Sequence, residues 1–333
     1  SKITLRILDL TPNQKIDFYW ISLRIKAAFD LRKRIFNAPF YRLIHAEADG
    51  LPGVIIDRFG DICAIQPNAA WADRYCDLIS EALEAVVPLK TIIKNTSGRA
   101  RKLEGLDDKG ALTKGKWPEK PIPVAMNGAI YMADLAHGQK TGLFFDQRPN
   151  HAFGARLAKG ASVLDVFSHV GGFGLAALAG GASSALAVDA SQAALELAWQ
   201  GAKLMGLEKQ FSIRKGDAFD VMATLMDEGA EFDVVICDPP AFVTSKRVLD
   251  AGLRAYEKLA RMATGLVKDR GFLGLCSCSH AADLKKFHAA SIRGISKAGR
   301  SATLIHTGFA GPDHPIHPQL AQSGYLKALF FHL

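Results

Sequence analysis

From Ser162 onward, short apolar runs alternate with longer stretches in which apolar residues recur at helical spacing. The runs predict strands at 162–167, 184–189, 211–215, 232–237, 271–277, 301–308 and 324–332. The stretches between them predict helices at 173–180, 191–204, 217–228, 250–268 and 281–297. Regular alternation of this kind implies a doubly wound, mostly parallel α/β sheet with helices on both faces.

The earlier part of the chain reads differently. Residues 3–9 alternate as a strand does, and residues 17–36 form a basic amphipathic helix. Strand-like runs between Tyr41 and Pro67 are broken by Asp49-Gly50-Leu51-Pro52-Gly53 and Phe59-Gly60-Asp61, which are turn chemistries suited to antiparallel strands. A helix at 71–87 and a strand at 90–95 follow, then an aperiodic loop at 97–120, strands up to Asp134 and a helix at 147–157. The expected division is a small α+β domain over 1–125 and the doubly wound domain over 126–333.

The 333 residues are 49% hydrophobic and 22% charged, which excludes a disordered chain. Neither a membrane-spanning run nor a secretory pattern is present, so a cytoplasmic protein is expected. Five cysteines with no C-x-x-C spacing argue against a disulfide framework or a zinc ribbon. His314 and His317 lack a third metal ligand at a suitable spacing, so no metal is expected. The net charge of +8 favours a polyanionic partner, and the basic runs Arg32-Lys33-Arg34 and Arg99 to Lys102 are the candidates for meeting phosphates.

The strand ending at Phe167 leads into Ser168-His169-Val170-Gly171-Gly172-Phe173-Gly174, a glycine-rich turn that lets a ligand approach the backbone. Its spacing is not that of a dinucleotide binder, and Asp165 within the strand would repel a pyrophosphate. The same carboxylate would attract a cationic amino group, such as that of S-adenosylmethionine. Asp189, followed by Ser191 and Gln192, is placed for ribose hydroxyls. Asp217 is placed for an adenine amine, with the Ala218 N–H beside it. The plainer alternative is that Asp189 and Asp217 merely cap the helices that follow them.

Two further strand ends carry candidate chemistry. Asp238-Pro239-Pro240-Ala241-Phe242 resembles the turn that methyltransferases acting on nucleobases place at the cofactor's reactive end, and it suits N6 of adenine as well as C5 of cytosine. The next strand end holds Cys276 and Cys278. Methylation at cytosine C5 needs a thiolate added to C6, a role open to Cys278, whereas exocyclic nitrogens need no covalent help. A free cysteine is also often a small buried apolar residue.

Strings along most of the chain are similar to the ribosomal RNA large subunit methyltransferase I family. They include Tyr41-Arg42-Leu43-Ile44, Glu47 to Gly53, Ile56 to Gly60, His137 to Gly142, Asp146-Gln147-Arg148, Phe167 to Phe173, Asp238 to Phe242, Ser277-Cys278-Ser279, Asp313-His314-Pro315 and Gly324 to Lys327. The resemblance implies a Rossmann-like class I methyltransferase that uses S-adenosylmethionine, releases S-adenosylhomocysteine and forms 5-methylcytosine in large-subunit rRNA. It implies Cys278 as nucleophile with Asp238 beside it. It extends the cofactor contacts to Lys140, Thr141, Gly142, Phe144 and Arg148, together with Asp165, Phe167, Gly171, Gly172, Phe173, Asp189, Ser191, Gln192, Asp217, Ala218, Asp238 and Pro239. Family members usually begin with an RNA-binding PUA domain, of which residues 3–9 would be only the last strand.

Two other functions stay open at this point. One is an N-methyltransferase on RNA or DNA with Phe242 stacked on the base, and the other is a non-catalytic RNA-binding protein that keeps the fold. Structured RNA, ribosomal RNA first, is the expected partner, and a monomer and a homodimer are both compatible with the sequence.

Overall fold

The computed structural model describes residues 5–136, 142–320 and 323–333. The chain separates into two compact units, residues 1–124, 133–145 and 311–321 in the first and residues 125–132, 146–310 and 322–333 in the second. The division is therefore not a single cut near residue 125, since two later stretches return to the first unit.

In the first unit, α1 (Phe18–Ile35) starts at Asp17, whose side chain accepts the Trp20 N–H. Strands β1 (Phe40–His45), β2 (Val54–Phe59) and β3 (Ile62–Pro67) form an antiparallel meander. Helices α2 (Ala70–Arg74) and α3 (Cys76–Val86) lead to β4 (Thr91–Lys94), which joins β3 in parallel. After α4 (Arg99–Leu103), β5 (Ala111–Lys114) completes the five-stranded sheet. The core sets Trp20, Ile21 and Ile25 of α1 with Ile79 and Leu83 of α3 and the inward residues of β1 to β4.

Four sequence expectations change here. Residues 5–9 form no strand, and Leu5 and Ile7 are exposed, because alternation alone supplies no ladder partner. The single helix at 71–87 is interrupted at Tyr75, and the stretch 97–120 holds α4 and β5 rather than a bare loop. Two of the basic residues proposed to meet phosphates are buried in ion pairs instead. Arg32 is 0% exposed and bonds both Asp49 oxygens at 2.6 and 2.8 Å, while Arg101 is 1% exposed and bonds Asp73 at 2.7 Å and the Pro67 carbonyl at 2.6 Å. Lys33, Arg34 and Lys102 remain exposed.

β6 (Ile122–Met126) and β7 (Ala129–Ala133) pair across Asn127-Gly128, both at positive φ, the two-residue turn that asparagine and glycine favour. The chain continues with α5 (Arg148–Leu157), β8 (Ser162–Val166), α6 (Gly172–Ala179), β9 (Ser184–Asp189), α7 (Gln192–Leu204), β10 (Phe211–Lys215) and α8 (Ala218–Asp227). It ends with β11 (Phe232–Cys237), α9 (Leu249–Thr264), β12 (Val267–Ser277), α10 (Leu284–Lys297), β13 (Thr303–Gly308) and β14 (Lys327–His332). The seven-stranded sheet has the order β10-β9-β8-β11-β12-β14-β13. Strands β8 to β12 are parallel, and β14 runs antiparallel between β12 and β13.

From β8 the chain first builds outward to β10, then returns to place β11 on the other side of β8. Such a reversal opens a crevice beyond the carboxyl ends of the two strands, where ligands of this fold class bind. The register of β8 and β11 pairs Asp165 with Ile236 and Val166 with Cys237, which brings Asp165 and Asp238 to that crevice.

Candidate active site

The turn after β8 is held in a conformation that few residues adopt. Phe167 and His169 have φ of 62° and 50°, and Gly171 has 81°. Side chains other than glycine pay steric strain there, and strain of this kind gathers at ligand sites. The turn closes on itself through the Gly171 N–H to the Ser168 carbonyl at 2.8 Å. A Cβ on Gly172 would lie 2.7 Å from His151 Nε2, so a side chain at 172 would displace the histidine behind the turn.

Asp165 lies beneath this turn, 1% exposed. Its Oδ2 accepts the Gly174 N–H in the first turn of α6 at 2.8 Å, and its Oδ1 has no hydrogen-bond partner among the described residues. Burial pushes its carboxyl up to about 7, against the lowering pull of the Gly174 and Phe173 N–H groups. Ser168 Oγ is likewise buried without a partner among the described residues.

At the end of β9, Asp189 joins two loops. Its Oδ2 accepts the His169 N–H at 2.9 Å and its Oδ1 the Ser191 N–H at 2.8 Å. It is not the cap of α7; that role falls to Ser191, whose hydroxyl accepts the Ala194 N–H at 3.2 Å. Asp217 does cap α8, with Oδ1 accepting the N–H groups of Phe219 and Asp220 at 2.9 and 3.3 Å. Gln192 is exposed and bonds Glu196 at 3.1 Å.

Asp238 follows β11, with its N–H on the Val166 carbonyl at 3.1 Å. Burial pushes its carboxyl up to about 7, and the neighbouring Asp146 and Asp165 push in the same direction while Gln147 opposes them. Asp146 accepts the Tyr325 hydroxyl at 2.6 Å through Oδ2, and its Oδ1 is buried without a partner among the described residues. Three carboxyls thus converge, and two of them carry a buried oxygen without a partner among the described residues.

The end of β12 is fixed from several sides. Ser277 Oγ donates to Tyr256 Oη at 2.9 Å, and Tyr256 Oη lies 2.8 Å from Ser279 Oγ. Ser279 Oγ also accepts the Val243 N–H at 3.1 Å, which ties this turn to the Asp-Pro-Pro turn after β11. Between the two anchored serines stands Cys278, half-buried, whereas Cys63, Cys76, Cys237 and Cys276 are buried. Burial drives all four of those thiols up, Cys76 to about 11.

The family of S-adenosylmethionine-dependent methyltransferases matches residues 114–332. Ribosomal RNA large subunit methyltransferase I of Aeromonas hydrophila is 34% identical over 99% of the chain and 84% of the relative, and that of Escherichia coli O139:H28 is 33% identical over 98% and 84%. The chain belongs to the ribosomal RNA large subunit methyltransferase I family. Among solved structures, a methyltransferase from Streptococcus mutans superposes with a TM-score of 0.84 at 22% identity, covering 97% of this chain and 84% of that one. A second, SMU.776 in complex with SAH, superposes with the same score over 96% and 83%.

A member of this family is an S-adenosylmethionine-dependent methyltransferase, and the second unit has the chemistry to hold that cofactor. Its sulfonium and amino groups are cationic, and the buried Oδ1 atoms of Asp165 and Asp146 are acceptors without a partner among the described residues. A pyrophosphate would find carboxyls in its place.

The structure brings Asp165, Phe167, Gly171, Gly172, Phe173, Asp189, Ser191, Gln192, Asp217, Ala218, Asp238 and Pro239 to the carboxyl edge of one sheet. Lys140 and Thr141 lie outside the described residues. Gly142 and Phe144 belong to the first unit. Arg148 begins α5, where its charge acts on His151 and Tyr131 behind the glycine turn. Sequence reasoning missed Asp146, Tyr131, His151 and Tyr256. Asp146 stood inside a quoted string, Asp146-Gln147-Arg148, from which only Arg148 was given a binding role, and its orphaned oxygen was beyond any sequence pattern.

Proposed function

We propose that this methyltransferase forms 5-methylcytosine in structured RNA, large-subunit rRNA being the substrate that the names of its relatives favour. The observation that carries the reading is Cys278, the half-buried thiol of the five, on a turn anchored to the Asp-Pro-Pro turn through Ser279 and Val243. A buried packing cysteine needs neither exposure nor such anchoring.

Cys278 adds through its thiolate to C6 of a flipped cytosine while the proton of Asp238 moves to N3, and the electron pair gained by the ring makes C5 nucleophilic. A carboxyl held near 7 is suited to give and retake that proton. S-Adenosylmethionine, when bound, supplies an electrophilic methyl group and leaves as neutral S-adenosylhomocysteine. Loss of the C5 proton to a water-derived base, return of the N3 proton to Asp238 and expulsion of the Cys278 sulfur restore the ring. Asp165 and Asp146 orient the cofactor's cationic end, Asp189 its ribose and Asp217 with the Ala218 N–H its adenine.

Phe242, which the N-methyltransferase reading would stack on a base, packs 4.9 Å from Tyr256, with Phe219 and Phe167 also within aromatic contact. That placement supports a packing role and favours C5 over an exocyclic nitrogen. The test uses rRNA carrying 5-fluorocytidine. The fluorine cannot leave as a proton does, so the Cys278 adduct persists and is detected by mass spectrometry. Cys278→Ala abolishes both adduct and methylation with S-adenosylhomocysteine binding intact. Wild-type methylation by Cys278→Ala would overturn the covalent reading.

A further inference from the structure

Lys327 opens β14 in register with Ser277 of β12, and it is 5% exposed. Its Nζ donates to the carbonyls of Ser279 and Ala282, each at 2.7 Å. Both acceptors lie in the turn from Cys278 to Asp283 that joins β12 to α10. Among the described residues Lys327 makes no ion pair. An ammonium removed from water without a carboxylate partner is costly, so a fold keeps one where its charge is used.

We propose that Lys327 is a positioning residue for Cys278: it pins both sides of the cysteine's turn and supplies the positive charge that holds the sulfur as thiolate. The inference rests on the reading of Cys278 as nucleophile and deepens it. A thiolate beside an ammonium is favoured over the thiol, which is how reactive cysteines are made at neutral pH. Burial lowers the proton affinity of Lys327, while Cys278 and Asp283 raise it, so the lysine and the thiol influence each other directly.

The other groups around the pair have identified tasks. Asp283 caps α10 by accepting the Lys286 N–H at 2.8 Å and is paired with the Lys286 ammonium. Tyr256 from α9 is occupied by the two serines. His280, in the same turn, packs 5.3 Å from the ring of Tyr325. Lys327 is thus the cation aimed at the turn from the sheet side, and it reaches the turn through carbonyls rather than through a competing carboxylate.

The experiment measures the pH profile of Cys278 alkylation by iodoacetamide on the full chain, read at that residue by peptide mass spectrometry. Wild-type protein is expected to react with a midpoint below the ordinary thiol value of about 8.5. In Lys327→Met the midpoint rises by about one pH unit and alkylation near neutrality slows about tenfold. Lys327→Arg, which keeps the charge, stays close to wild type, and trapping on 5-fluorocytidine RNA slows in parallel in the methionine variant. Calorimetry with S-adenosylhomocysteine confirms that each variant is folded. A wild-type midpoint at or above the ordinary value overturns the proposal without any variant, and so does an unchanged profile in folded Lys327→Met. If Cys278→Ala is inactive and the Lys327→Met profile is unchanged, the Lys327 assignment alone falls. If Cys278→Ala methylates at the wild-type rate, the nucleophile reading falls with it.

Discussion

Asp165 Oδ2 accepts the Gly174 N–H at 2.8 Å, so a carboxylate inside β8 fixes the first turn of the following helix while its second oxygen stays buried without a partner among the described residues. Removing the group loses that anchor together with the acceptor proposed for the ligand. Asp165→Ala is therefore expected to weaken S-adenosylmethionine binding by roughly 1.5 to 3 kcal/mol, the value of a charge-assisted hydrogen bond. Isothermal calorimetry with unchanged affinity in this variant would remove Asp165 from the site.

Cofactor affinity is expected to rise with pH. The carboxyl of Asp165 is held up to about 7, so the ligand-free protein is partly protonated there at neutral pH. A cationic ligand favours the ionised form and displaces the proton, which strengthens binding by up to about tenfold per pH unit below the raised value. For folding the sign is opposite. A carboxyl raised in the folded state contributes stability that is fully present below about 3.8 and is lost as pH climbs to about 7. Calorimetry in buffers of different ionisation enthalpy counts the protons released, and a pH-independent affinity would contradict the assignment.

Tyr256→Phe tests the anchoring of the Cys278 turn. The change leaves the hydroxyls of Ser277 and Ser279 without their shared partner in a buried site, a loss of about 1 to 3 kcal/mol of stability. Methylation should slow while S-adenosylhomocysteine affinity holds, because the cofactor contacts lie on other strand ends. Denaturant titration and single-turnover kinetics measure the two effects separately.

RNA binding is expected to weaken as salt rises, through release of counterions from phosphates. Lys33→Glu with Arg34→Glu should reduce that salt dependence with little change in stability, since both side chains are exposed. Arg32→Met should instead destabilise the first unit by about 3 to 5 kcal/mol, because it strands Asp49 and the Asp313 carbonyl. Thermal melts of the two variants distinguish them, and equal melting temperatures would contradict the burial of Arg32.

Much of the second unit was legible because buried parallel strands are apolar runs and each helix between them has its own periodicity. β9, β10 and β11 begin and end where the runs do. What failed was pairing. Residues 5–9 alternate correctly and form no strand, while β5, with Ala111, Leu112, Thr113 and Lys114 all at least partly exposed, lacks the alternation that would announce it. The glycine turn and the acidic strand ends were legible as chemistry, but their division of labour was not. Ser191 caps α7 and Asp189 ties two loops, a distinction set by which N–H each oxygen meets. Lys327 was invisible as a site residue because its partners are backbone carbonyls 45 and 48 positions away in the chain.

The place of β14 between β12 and β13 has a consequence for how the chain matures on the ribosome. Strands β8 to β12 emerge in an order that lets each join a neighbour already made, but β13 emerges before the strand it must pair with. Until β14 is synthesised, the Phe272 to Ser277 edge of β12 is an uncovered ladder, the type of edge that recruits other chains. Newborn protein passes through an interval open to aggregation, and the strand that ends this interval is also the one that delivers Lys327 to the cysteine turn. Insertion of one strand therefore seals the sheet and, in the same event, sets the Lys327 ammonium on the carbonyls of the cysteine turn.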